Sequence, residues 1–175
     1  AALMDSRMQG ISDRPRIFHH TDAVLRLSLR NRQLLQAARR EPGASGQRGK
    51  LQALLELEER MAEHLLTMDH AIENAPAEGF HLHLSAELAE MGAAVQATML
   101  ELAQALPAPQ APPPGILARL DSALDTAAYK LLALRPTRAS AGDDLDEVMH
   151  FYTYYHALRE TAREVRKLAE RLAQK

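Results

Sequence analysis

Residues 150–156 read HFYTYYH, which puts four of the chain's seven aromatic residues into five positions between two histidines. Tyrosine buries its ring while presenting a hydroxyl. The set His150, Tyr152, Tyr154, Tyr155 and His156 is therefore a candidate ligand site, able to stack on a flat aromatic molecule and hydrogen-bond its polar edge. On a helix, Phe151 and Tyr155 share one stripe, Tyr152 flanks it, and Tyr154 turns toward the other side with His150. The plainer reading of the same residues is core packing with satisfied hydroxyls.

Eight histidines invite a metal reading, and their spacing argues against one. Glu-x-x-His occurs at Glu78 to His81 and at Glu147 to His150, a pattern that di-iron bundles place on inward faces. Here Glu78 falls in the helix break NAPAEG, while Glu147 and His150 straddle the apolar positions Val148 and Phe151. Only His156 with Glu160 has a hemerythrin-like spacing. No metal site and no cofactor is expected, and a metal-binding bundle stays a minor alternative. Gly-x-Ser-x-Gly and a glycine-rich phosphate loop are both absent, so the chain is expected to be non-enzymatic.

A second pattern is electrostatic. Arg159, Arg163, Lys167, Arg171 and Lys175 recur every four residues and form a basic stripe along the last helix. As a solvated face it suits the C-terminal end of the helix dipole and nearby acids such as Glu56, Glu59 and Glu63. As a functional face it would meet anionic lipid head groups or an acidic partner. The formal net charge of -2 gives no general footprint for nucleic acid.

The elements that carry these residues follow from composition and period. The chain has 175 residues, 46% of them hydrophobic but only 4% aromatic, and no cysteine or tryptophan. Length predicts one domain with a substantial core, and the helix-forming composition predicts an all-α fold. Without cysteine there are no disulfides and no thiolate chemistry. No window approaches the apolar length of a membrane span, and residues 1–10 do not resemble a secretion signal. A start at Ala1 without an initiator methionine suggests a processed end or a piece of a larger membrane protein.

Five helices are predicted. The first, Pro15 to Arg40, has the seam Ile17, His20, Val24, Leu27, Asn31, Leu34 and Ala38. EPGASGQRG, residues 41–49, is predicted to be a loop. The second helix, Lys50 to Asn74, carries Leu51, Leu54, Glu58, Met61, Leu65, Met68 and Ile72 inward. The third, Leu82 to Leu106, buries Leu84, Leu88, Met91, Val95, Thr98, Leu102 and Ala105. PAPQAPPP, residues 107–114, is a stiff connector, because proline lacks the amide donor and constrains its predecessor. The fourth, Gly115 to Leu134, buries Leu117, Leu120, Leu124, Ala127, Leu131 and Leu134 and is closed by Pro136.

The fifth is capped by Asp143 or Asp144, with Glu147 completing a capping-box-like arrangement. It buries Val148, Phe151, Tyr155, Leu158, Ala162, Val165, Ala169 and Leu172 along roughly 45 Å, which makes it the spine. An elongated antiparallel bundle of four to five helices accommodates all of this. The connector would separate a three-helix part from a two-helix part of one domain.

The seam polar residues His20, Asn31 and Glu58 must pair when buried, either with one another, fixing register, or around a polar cavity. The first helix region is arginine-rich and the second is acidic, so the two are expected to lie side by side.

The segment ILARLDSALDTAAYKLLALRPTRASAGDDLDEVMHFYTYYHALRETAREVRKLAERL, residues 116–172, joins a leucine-rich helix through a polar gap to a long helix that opens with acids. It continues through aromatic and leucine residues and ends in mixed charge. In this it resembles the soluble helical domain of fusaric acid resistance (FUSC, aromatic acid exporter) type inner-membrane proteins. The resemblance implies a soluble domain of a bacterial efflux transporter, acting in assembly, gating or substrate access. Its expected place is the cytoplasmic side of the inner membrane. Its partners would be the membrane portion of the same protein or its oligomer, and the anionic lipid surface through Arg159, Arg163, Lys167 and Arg171. The alternative from another class is a small-molecule sensor bundle that binds an aromatic acid at the tyrosine cluster.

Overall fold

A computed structural model describes residues 14–38, 45–73, 83–105, 114–138 and 145–173, and everything in it is helical apart from one 3₁₀ turn at residues 83–84. The helices are α1 (Arg14–Ala38), α2 (Ser45–Glu73), α3 (Ser85–Ala105), α4 (Pro114–Arg138) and α5 (Leu145–Ala173). The chain is an all-α bundle, as its periodicity predicts.

Three boundaries depart from the sequence expectation. α2 begins at Ser45, inside the predicted loop. Glycine is a weak helix former, but adding a turn to an existing helix avoids the cost of nucleation, so Gly46 and Gly49 are carried along. α4 begins at Pro114, a residue suited to a first turn because its missing donor has no intrahelical partner there. The same helix runs two residues past Pro136, so this proline lies in the last turn and does not close it. The rest of the connector and the expected cap residues Asp143 and Asp144 lie outside the described residues.

α5 is the hub. Its most extensive packing is on α2, and it also packs on α3 and α4, which pair with each other, while α1 packs on α2. Across the bundle the order is α1, α2, α5 and then the α3/α4 pair. α5 therefore reaches back across the connector to α2, so the two predicted parts share one packing unit. The core runs along this hub through Leu57, Met61 and Met68 of α2, Leu84 of the 3₁₀ turn, Leu88, Met91 and Leu102 of α3, Leu120 and Leu131 of α4, and Phe151, Leu158 and Val165 of α5. The predicted inward stripes of α3, α4 and α5 follow these positions, with Leu117, Leu124, Leu134, Val148 and Leu172 half-buried at their margins and the side chain of Ala105 outside the described residues.

The stripes of α1 and α2 do not hold in full. Leu27 and Leu34, predicted on the α1 seam, are 55% and 59% exposed, and Leu65 of α2 is exposed as well. The side of α1 toward α2 carries Val24, Ser28 and Asn31 at half-buried positions. A single neighbour covers a narrow strip of a helix, and the two leucines sit about 60° to one side of that strip. The side chains of Ile17 and His20 lie outside the described residues.

Polar contacts hold α1 in register. Asn31 donates from Nδ2 to both carboxylate oxygens of Glu58, at 2.9 and 3.0 Å. Next to it, the Arg32 guanidinium meets Glu59 at 2.7 Å. Two of the three polar seam residues therefore pair with each other, and the basic first helix lies along the acidic second. Exposed pairs of this kind contribute about 0–1 kcal/mol each, so they fix alignment more than they hold the helices together.

Candidate functional site

The aromatic run occupies the N-terminal half of α5. Phe151 and Tyr155, one helical turn apart, are both buried and stack at 6.1 Å with their planes 14° apart. Tyr152 meets Phe151 edge-on at 5.4 Å and lies 6.2 Å from the exposed His156 ring. His156 in turn meets Tyr155 edge-on at 5.8 Å. One turn further on, the Arg159 guanidinium lies 5.9 Å from the centre of the Tyr155 ring, a contact worth about 0.5–1 kcal/mol at a partly exposed site. Tyr152, His156 and Arg159 thus form an outer row of two rings and a cation over the buried Phe151–Tyr155 pair.

Tyr154 is not part of that outer row. Like Tyr152 it is half-buried against the core, but its hydroxyl is shielded, and burial pushes its pKa well above the ordinary tyrosine range. The expectation that Tyr154 faces away from the core is therefore corrected. That expectation assumed one buried stripe, whereas α5 has neighbours on two sides. Glu164 pairs with Arg60 of α2, and Arg166, two residues on and about 200° around the helix, pairs with Asp121 of α4. Between these two contacts lies a wide buried arc, and Tyr154 is inside it. His150 is half-buried on the same helix.

The basic stripe is a spiral. A four-residue step advances about 40° around an α-helix, so the charges drift from the α4 side of α5 to the α2 side, and Arg159, Arg163, Lys167 and Arg171 each find a contact on the way, while Lys175 lies outside the described residues. Arg159 covers Tyr155. Arg163 pairs with Glu160 at 2.6 Å and Lys167 with Glu164 at 2.6 Å. Arg171 reaches α2 and donates from Nη1 to the carbonyl of Ala53 at 3.1 Å. The acids that meet the spiral are on α5 itself, while Glu56 and Glu59 engage Gln52 and Arg32.

Sequence reasoning passed over Glu164. Its side chain is only 5% exposed, yet it holds two bases: Arg60 donates from Nε and Nη2 to Oε2, both at 3.1 Å, and Lys167 donates to Oε1 at 2.6 Å. Burial pushes the Glu164 pKa up, but the hydrogen bonds and charges of Lys167 and Arg60 outweigh it and hold the carboxyl below its ordinary range. The signal in the sequence is a second inward row, Ala157, Thr161 and Glu164, at steps of four and three beside the main stripe. All three are buried.

Among the described residues no group of three or more histidines, cysteines or acids is placed to hold a metal ion, and no helix is long and apolar enough to cross a membrane. Glu78 and His81 lie outside the described residues.

Comparison with known proteins adds no relative: no protein-family model matches the chain, and neither curated proteins nor solved structures match it significantly.

Proposed function

We propose that the chain is a non-enzymatic helical assembly domain of a bacterial membrane transporter of the aromatic acid exporter kind, working in assembly, gating or substrate access. The observation that carries the assembly reading is α1. Leu25, Leu27, Leu29 and Leu34 are all exposed on a helix whose own seam is partly polar. Leu27 and Leu34 share one face and Leu25 and Leu29 the opposite one, so α1 offers an apolar row to a partner on either side. The transporter part of the reading is supported by the resemblance of residues 116–172. Deleting the encoded region from the gene and measuring efflux of a panel of aromatic carboxylic acids tests it. Export should fall while the membrane portion still inserts, and unchanged export would overturn the reading.

A second reading is favoured by the outer row of α5. Tyr152 and His156 offer ring faces, and Arg159, whose Nη2 reaches Glu160 only at 3.5 Å, supplies a cation beside them. Together these suit a flat aromatic carboxylate, bound by stacking and by ion pairing. Calorimetric titration with aromatic acids should give heat that Tyr152→Ala abolishes. Silence across the panel would dismiss this sensor reading.

A further inference from the structure

The outward side of α5 is graded along its length. Leu145, Tyr152 and Arg159 follow one another at steps of seven residues, and so do Met149, His156 and Arg163. Seven residues fall about 20° short of two helical turns, so each trio runs in line along the helix and the two lines lie side by side. Both read apolar residue, ring, arginine. Leu145 is 72% exposed and Met149 58%, so the apolar end of this face stands open to water.

α4 supplies a wall beside it. Residues 139–144 are too few to run back along either helix, and Arg166 of α5 meets Asp121 of α4 at 3.0 Å, so the two helices are antiparallel. Leu132 lies eleven residues beyond Asp121, and Tyr155 eleven before Arg166, just over three turns in each helix. Leu132 therefore stands level with Tyr155 on the side of α4 that borders α5, and it is 57% exposed.

We propose that the ligand of this face is an elongated amphiphile, an aromatic carboxylate with an apolar chain opposite its carboxyl group. The carboxylate pairs with Arg159, and the ring stacks on His156 and Tyr152 with Leu132 at its edge. The chain runs toward Met149 and Leu145, the first of which is ten residues or about 15 Å from Arg159. The grading of the face selects this class. A bare or hydroxylated benzoate would leave Leu145 and Met149 in water, whereas an apolar chain removes them from it. This inference rests on the sensor reading above and names its ligand more narrowly.

Calorimetric titration of the whole chain with benzoate and its para-ethyl, para-butyl and para-hexyl derivatives tests it. Affinity should rise along the series, by up to about fourfold for each methylene fully buried. Leu145→Ser and Met149→Ser should flatten that rise and leave benzoate unchanged, while Leu132→Ser should weaken every member alike. Leu100→Ser should change nothing: Leu100 is 56% exposed but lies about 20 Å along α3 from Glu87, which meets Lys130 beside Leu132. The neutral para-butylbenzamide should bind about tenfold or more weaker than the acid. Heat from benzoate that does not grow along the series overturns this inference and leaves the sensor reading standing. So does a rise that Leu145→Ser and Met149→Ser do not flatten, or an amide that binds as well as the acid. No heat from any acid overturns both, and capture of the chain by anionic vesicles would then assign the face to a membrane surface.

Discussion

Glu164 and Tyr154 are the two side chains at which burial acts most directly on a titrating group, and their pH signatures have opposite sign. The folded-state pKa of Glu164 lies below its unfolded value. Its contribution is therefore present above the unfolded pKa, near 4.3, and is lost as pH falls through the folded value. Glu164→Gln should lower stability at neutral pH by about 1 kcal/mol, a modest figure because both bases keep contact with water. Urea unfolding at pH 7 and pH 3 should show a smaller acid loss in the variant than in wild type. Tyr154 holds its proton more tightly folded than unfolded. The stability tied to that group is intact below pH about 10 and declines as pH rises further. Tyr154→Phe should remove the most alkaline step in the ultraviolet titration of tyrosinate and flatten the alkaline loss of stability. Tyr154 stood out in the sequence as a candidate ligand contact on the far side of the helix, whereas Glu164 was not legible as a site at all. Glu164 looks there like one more surface acid beside Lys167, and its burial depends on α2 lying against that side of α5.

Helix boundaries at the element scale followed local chemistry where one strong signal acted alone, and failed where helix continuation competed with it. Gly49 is the clearest case. It lies in the first turns of α2, is exposed, and a methyl group added there would meet nothing within 4 Å. Gly49→Ala should therefore stabilise the protein by about 0.5–1 kcal/mol, read as a rise in melting temperature of about 2–4 °C at most. An unchanged or lower melting temperature would show that residues 45–49 are not helical in solution. The α5 stripe was legible almost residue for residue because its large side chains recur without a gap. The α1 stripe misled because leucines surround much of that helix, and period alone does not say which of several apolar rows faces the one neighbour. Asn31 marks the true seam through its bond to Glu58, so here the polar residue was the better guide.

At the scale of the whole molecule, the governing fact is that one helix serves as common wall for three others. Such a hub needs small residues where backbones approach, and α5 has Ala157, Ala162 and Ala169 at buried positions, two of them with no exposed surface at all. Ala162→Leu should cost about 1–3 kcal/mol through overpacking, whereas Ala133→Leu on the exposed side of α4 should change stability little. Equal effects in thermal unfolding would mean that α5 is not the hub. By itself the sequence determined the all-α class, the five helices found among the described residues and the inward stripes of α3, α4 and α5. Those depend on composition, proline and glycine breaks and a 3.6-residue period, all local properties of the chain. Tertiary structure alone decided that α5 is buried on two sides, that Tyr154 lies inside the arc between them with its hydroxyl shielded from water, and that the leucines of α1 stay exposed. A helix carries several possible faces, and only the positions of its neighbours select which of them lose contact with water.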